Sequence, residues 1–352
     1  MKLLRRLYSI HSMSGQETPM RKFIKSYVKG LPGDIVCTQK DGNIYITKGE
    51  AESYPCLVAH LDQVQKLHSA DFRTIEIDGN LYGFSQENER LEGLGADDKN
   101  GIWIALKCLE KFPALKIAFF KEEEIGCGGS SKANLKFFED CRYCIQADRK
   151  NGGDLITEIG WMKIASEKFV QDITPIAEKY DYKETSGLMT DVETLVERGV
   201  GIACINMSCG YHSPHTDNEH TNIAELYNSL AFVCEVLSTL TDIYPHEPQK
   251  DYGYYGGFYG YGWEDDFDDS HFGGYFIPSL NRYYELESWV EDIMYYNHGT
   301  EDVIYKIWPL VQADCDTLGI TEEDFIDMCY NVVYAYGYDW QREEDETETL
   351  RV

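Results

Sequence analysis

"FFKEEEIGCGGS", residues 119 to 130, decides how the chain is read. An apolar run ends in three glutamates, and a glycine-rich turn follows. A solvated strand end is the plain account of such a pattern. The alternative is a site: carboxylates crowded into one cleft repel each other unless cations neutralise them. The choice depends on what else the chain places opposite Glu123 and Glu124.

The segments upstream and downstream supply candidates. "PCLVAHLD", 55–62, is a continuous apolar run of the kind found in buried central strands, and it ends in His60 and Asp62. Residues two apart on a strand point the same way, so Asp62 can reach the far ring nitrogen of His60. A carboxylate that fixes a histidine tautomer is the usual outer partner of a metal ligand. "GLGADDKNG", 93–101, puts Asp97 and Asp98 in a glycine-bounded turn before a helix, where an aspartate pair can also be a simple cap. "YCIQAD" ends in Asp148, and "CGYHSPHTDNEH" carries His212, His215 and His220 ahead of the long helical pattern "NEHTNIAELYNSLAFVCEVLSTL". Each motif is weak alone. Together they form an ordered series of His, Asp, Glu and Asp at successive strand ends, where open α/β sheets place their sites. Imidazole with carboxylate suits zinc and neighbouring divalent ions.

Strand-like runs at 43–49, 55–62, 115–123, 143–148 and 200–207 alternate with helical periods at 18–31, 97–112 and 218–240. That alternation predicts an α/β fold: a three-layer sandwich around a mixed, mostly parallel sheet, occupying residues 1–244. Composition then changes. Residues 245–280, including "DYGYYGGFYGYGWEDDFDDSHFGGY", read as a Gly/Tyr/Asp-rich linker or loop. Residues 281–340 read as a small helical extension, and 341–352 as a disordered acidic tail.

The chain has 352 residues and a net charge of -29. From Asp251 onward there are 24 acidic residues against 4 basic ones. Such a balance argues against nucleic acid as a partner. No run approaches the roughly 18 to 20 apolar residues of a membrane helix, and the N-terminus lacks a signal-peptide pattern. Eleven cysteines without regular spacing suit free thiols in a reducing, cytoplasmic setting. The Cys141–Cys144 pair is a lone CxxC inside an apolar stretch.

The chain resembles the co-catalytic di-zinc exopeptidases, the group of peptidase T, other di- and tripeptidases, and the related aminopeptidases. The similar stretches are "SMSGQETPMRKFI", "DGNIYITKGE", "CLVAHLDQV", "DGNLYGF", "LGADDKNGIWIAL", "FFKEEEIGCGGS", "SGLMTD" and "INMSCGYHSPHTDNE", spanning about residues 8 to 240. The resemblance implies two divalent ions, zinc in the family. His60 and Asp148 would hold the first, Glu124 and His215 the second, with Asp97 shared between them and Asp62 orienting His60. It leaves His212 open as the rival last ligand. It also implies that Glu123 is the general base, acting on a metal-bridging water against the peptide bond of a small peptide. Two rival activities remain: removal of an N-acyl group, and peptide binding without catalysis on a peptidase-like core. About forty residues separate Asp148 from Asp191, too few for the lid and dimerisation domain that peptidase T carries there. The acidic C-terminal part has no counterpart in the family; it is expected to pack on the catalytic domain or to bind a protein partner.

Overall fold

In the computed structural model, residues 1–66, 68–160 and 162–248 are described, with the strand residues 275–277 and 282–284 and scattered helical positions between 307 and 329. The chain divides into two units, Met1–Lys250 and Asp251–Val352.

The first unit opens with two helices, α1 (Lys2–Tyr8) and α2 (Thr18–Lys29), the latter started by Pro19 in its first turn. Strands β1 (Ile35–Lys40), β2 (Asn43–Lys48) and β3 (Tyr54–His60) follow. Then come β4 (Arg73–Ile77), β5 (Asn80–Ser85) and β6 (Arg90–Glu92), and helix α3 (Ala96–Lys111). β7 (Leu115–Phe120) leads through two 3-10 turns to β8 (Cys141–Arg149). The chain continues with β9 (Asp154–Ile159), β10 (Met162–Lys163), α4 (Glu167–Lys179), β11 (Lys183–Gly187) and α5 (Asp191–Glu197). It closes with β12 (Cys204–Ser208), β13 (Tyr211–His212), β14 (His220–Asn222) and α6 (Ile223–Thr239).

Nine strands form one sheet in the order β1-β2-β7-β3-β8-β12-β9-β10, with β11 also on β9. Its centre is parallel: β3 lies between β7 and β8, and β8 pairs with β12. Its margins are antiparallel, at β1–β2–β7 and at β12–β9–β10. Every residue of β3 and β7 is buried, as the unbroken apolar runs require of strands covered on both faces. Alternation then sorts the side chains. Leu57, Ala59, Ile117 and Phe119 pack with Leu4, Ile24, Trp103, Phe169 and Phe232, from α1, α2, α3, α4 and α6. Cys56, Val58, Ala118 and Phe120 pack the other way, with Val192, Leu195 and Val196 of α5 and with Phe138. The three layers expected from the sequence are therefore present. Cys141 and Cys144 sit inside the α5-side core as buried residues.

A second, antiparallel sheet, β13-β14-β5-β4 with β6 on β5, was not anticipated. The segment between Asp148 and Asp191 is not a lid either. It contributes β9, β10 and β11 to the main sheet, with α4 between them.

In the second unit, β15 (Tyr275–Ile277) pairs antiparallel with β16 (Arg282–Tyr284), and Ile307, Val311, Cys315, Phe325 and Cys329 are buried. Most of the residues assigned to the linker, the helical extension and the disordered tail lie outside the described residues, as does any packing of that part on the catalytic domain. Among the described residues, no helix is long and apolar enough to cross a membrane.

Phe119 is fully buried, opposite Ile44 on β2 and Ala59 on β3. Phe119→Ala is expected to cost about 3–5 kcal/mol, measured by urea denaturation. A loss below about 1 kcal/mol would contradict a sheet packed on both faces at this position.

Candidate functional site

The ends of the parallel strands bring the predicted residues together. His60 is the last residue of β3 and its ring is buried. Its Nδ1 faces Asp62, 3.1 Å from the backbone oxygen and 3.5 Å from Oδ1. Its Nε2 faces three carboxylates: Asp97 Oδ1 at 3.0 Å, Asp148 Oδ1 at 3.5 Å and Glu123 Oε2 at 3.9 Å. His215 closes the other side, with Nε2 at 3.3 Å from Asp97 Oδ2 and 3.1 Å from Glu124 Oε2. Asp97 thus faces both histidines through its two oxygens. His212 lies elsewhere, its Nε2 2.6 Å from Glu225 Oε2 and its ring stacked on His220.

Asp62 does more than orient the imidazole. Its Oδ1 accepts the Glu123 N–H at 3.0 Å, and its Oδ2 accepts the Glu124 N–H at 3.3 Å and the Ser14 hydroxyl at 2.7 Å. One carboxylate therefore fixes the histidine strand end and the glutamate turn together. Burial alone would raise the Asp62 carboxyl; the His60 ring, Ser14 and the Glu123 N–H hold it below its ordinary value instead.

Asp97 and Asp98 stand in the first turn of α3 with non-helical dihedrals, and the peptide between them is cis. Gly95, at φ +62, makes the approach to them. Asp98 turns to the main chain: Oδ2 accepts the His60 N–H and Oδ1 the Gly101 N–H. A Cβ on Gly101 would collide with the Asp98 carboxylate and the Ala147 carbonyl, so this helix start can lie against β8 only with glycine there.

Several buried polar residues around the site escaped the sequence reading. Glu219 is fully buried and accepts the N–H groups of Gly95 and Asp97 and the Gln65 side-chain amide. Burial pushes its carboxyl up to about 7. Lys99, also fully buried, donates to Gln63, and burial pulls its amine down to about 7. Asp148 is held by Gln146 and Tyr211, and its N–H donates to Asn206. Asp191, at the start of α5, is buried, which pushes its carboxyl up to about 7. Of these, only Glu219 had a visible signal, as the acidic end of "HTDNE".

The electrostatics are those of crowded anions. Burial pushes Glu123 well up, and Asp148, Asp191 and Glu124 add to it against the pull of His60. Burial and Asp97 do the same for Glu124. Asp148 is pushed up to about 8, first by burial. Burial would lower His60, but Asp148, Asp62 and Asp97 carry its pKa well above the ordinary value. His215, hydrogen-bonded to Asp97 and Glu124, is pushed up to about 11. Glu124 Oε1 is buried without a hydrogen-bond partner. A cation shared among these groups would relieve both the repulsion and the orphaned oxygen. The spacing suits one: His60, Asp98 and Asp148 each offer a ligand atom within 4.8 Å of the others, and so do His60, Asp97 and Glu124.

Beside the cluster opens a cleft of about 390 Å³, lined by Asp97, Glu123, Glu124, Asp148 and His215, with Ile156, Leu188, Met189 and Pro214 as its apolar wall.

Solved structures share this framework. Aminopeptidase PepT from Bacillus cereus superposes with a TM-score of 0.55 at 14% identity, covering 68% of this chain and 97% of that one. A tripeptidase from Staphylococcus aureus gives 0.53 at 16% identity, covering 67% and 96%. An aminopeptidase from the archaeon Desulfurococcus kamchatkensis gives 0.51 at 17%, covering 68% and 94%. The chain shares the fold of these aminopeptidase and tripeptidase structures. No protein-family profile and no curated protein matches the sequence.

Glu219→Gln replaces one accepting oxygen by a donating amide against the N–H groups of Gly95 or Asp97. The expected loss is about 1–3 kcal/mol in urea denaturation. Unchanged stability would show that Glu219 does not hold the start of α3.

Proposed function

We propose that the protein is a metal-dependent exopeptidase, an aminopeptidase or a di- or tripeptidase, that removes residues from the free N-terminus of small peptides. The observation that carries this reading is the convergence of His60, Asp97, Glu124, Asp148 and His215 around one cleft, with the Glu123 carboxylate beside them.

The donor set fits two divalent ions, as mixed imidazole and carboxylate groups with an orphaned carboxylate oxygen do. His60 and Asp148 would hold the first, Glu124 and His215 the second, and Asp97 both; zinc is the ion such donors suit best. When bound, the ions would supply Lewis acidity to the substrate carbonyl and make a nearby water a stronger acid. Every other task falls to the chain. Asp62 keeps His60 in one orientation and locks the backbone of Glu123 and Glu124. Glu123, 3.9 Å from the His60 ring and on the cleft wall, takes the proton of the attacking water and returns it to the leaving amine. Burial has already raised its carboxyl, which suits a group that must both accept and release a proton near neutrality.

The cleft also bears on the substrate. A free substrate amine can bind an ion as a neutral ligand or pair with a carboxylate of the cleft wall, and an acylated nitrogen can do neither. That favours peptides over N-acyl amino acids, and Leu188 and Met189, 77% and 56% exposed at the rim, offer the adjoining side chain apolar contact. The filled set of chemical positions supports catalysis over binding alone.

Glu123→Gln is expected to lower kcat on free-amine di- and tripeptides by about 10²- to 10⁴-fold, with metal content by elemental analysis near that of the parent. Glu124→Gln should lower metal content too. A Glu123→Gln enzyme with near-parental kcat, or a parent that hydrolyses only N-acetyl amino acids, would contradict the assignment.

A further inference from the structure

The chain ahead of α2 is built around a tight turn. Ser14 and Gly15 are its central residues, and the Gln16 N–H donates to the Met13 carbonyl at 2.7 Å. Gly15 takes φ +79° with open space around it, so the backbone conformation, not crowding, calls for glycine. Glu17, 1% exposed, fixes the turn from the helix side: its Oε1 accepts the Gly15 N–H at 2.7 Å and its Oε2 pairs with Arg21 at 3.0 Å. On the other side the Gln63 N–H donates to the Ser12 carbonyl at 3.1 Å, and the Ser12 N–H to the Gln63 side-chain oxygen at 3.3 Å. The turn is thereby laid along the residues that follow β3. There the Ser14 hydroxyl donates to Asp62 Oδ2 at 2.7 Å, across 48 positions of sequence. We propose that Ser14 is a positioning residue for the carboxylate cluster: through Asp62 it holds the His60 ring and the Glu123–Glu124 turn in place. Its effect on turnover rests on the peptidase reading of the cleft; its effect on the turn does not.

The Asp62 carboxylate is fully buried. Oδ1 has the Glu123 N–H at 3.0 Å and the His60 ring at 3.5 Å. Among the described residues, Oδ2 has the Ser14 hydroxyl and the Glu124 N–H, the latter at 3.3 Å. The Ser14 bond is the shortest of the set, and a hydroxyl bound to a carboxylate anion belongs to the stronger class of hydrogen bond. Removing it leaves Oδ2 with one long contact in a buried setting, where an under-satisfied acceptor is costly. The carboxylate is then free to turn, and the imidazole and both glutamate N–H groups lose a fixed partner together.

A purely local role would end at α2. The bonds that close the turn, Gln16 to Met13 and Gly15 to Glu17, are made without the Ser14 side chain, so alanine leaves them in place. Ser14 is also not among the residues that line the cleft. It acts on the groups behind the substrate, not on the substrate.

The test is hydrogen exchange of the full-length protein, read by mass spectrometry on peptides covering 121–126 and 141–149. Ser14→Ala is expected to speed exchange of the Glu123 and Glu124 amides about 10-fold, as the loss of one hydrogen bond to a charged acceptor would. The β8 strand, 141–149, should exchange at the parental rate. Ser14→Thr, which keeps a hydroxyl, should restore parental exchange at 121–126. On free-amine dipeptides Ser14→Ala should lower kcat about 10-fold with KM near the parental value. Parental exchange at 121–126 in Ser14→Ala would overturn the proposal. So would an equal rise across 141–149, which would make Ser14 a general stabiliser. A parent protein that hydrolyses no peptide would count against the peptidase reading alone, and the exchange rates would still decide the role of Ser14.

Discussion

The structure depends on a set of buried carboxylates that repel one another. Asp97, Glu123, Glu124 and Asp148 converge on His60 and His215, and Asp98 and Asp191 lie buried beside them. Without compensation that arrangement works against folding, since burying one unpaired charge already costs several kcal/mol. Part of the compensation is internal. Asp62 takes the N–H groups of both glutamates while facing the imidazole, and Asp98 takes the N–H groups of His60 and Gly101. Protons are the other part in the isolated chain: the carboxyls of Glu123, Asp148 and Asp191 and the rings of His60 and His215 are all pushed up. Divalent ions would do so more completely, and would free the histidines to act as neutral ligands.

The fold serves this placement. Three parallel strands, β7, β3 and β8, end side by side and deliver Glu123, His60 and Asp148 to one edge of the sheet. α3 then packs against β3 and β8, so its first turn sets Asp97 between the strand ends. The small antiparallel sheet, through β14, leads straight into α6, and Glu219 just ahead of that strand reaches back to the Gly95 and Asp97 backbone. The loop that carries His215 is thereby tied to the helix that carries Asp97. The left-handed φ of Glu122 and His215, +54° and +64°, falls on both sides of the cluster; such dihedrals in residues with a side chain are held by surrounding structure and gather at functional sites.

How much of this was legible in the sequence follows from how far each signal reaches. β3, β7, β8 and β12 are buried on both faces, so each leaves an unbroken apolar run, and the residue that ends the run is the one that matters. His60, Glu123, Glu124 and Asp148 could be picked out for that reason, Asp97 by its glycine-bounded turn before a helix, and the structure brings them together. His215 and His212 could not be separated by spacing alone; only the turn at His215 aims one ring at Asp97 and Glu124. The second sheet was missed because β4, β5 and β6 are short and half-exposed, with charges interleaved. α4 was masked by Pro175 within it, and β11 by its four exposed residues. Glu219 and Lys99 act through hydrogen bonds across 36 to 124 positions, which no local pattern records.

The most direct measurement is anomalous diffraction from crystals of the full-length protein grown with excess zinc. The account predicts two strong peaks, one bordered by His60, Asp97 and Asp148 and one by Asp97, Glu124 and His215, with Glu123 beside them and bound to neither. No peak among these residues, or zinc held only at surface carboxylates with His60 still ion-paired to Asp97, would contradict the claim that this cluster is built for metal.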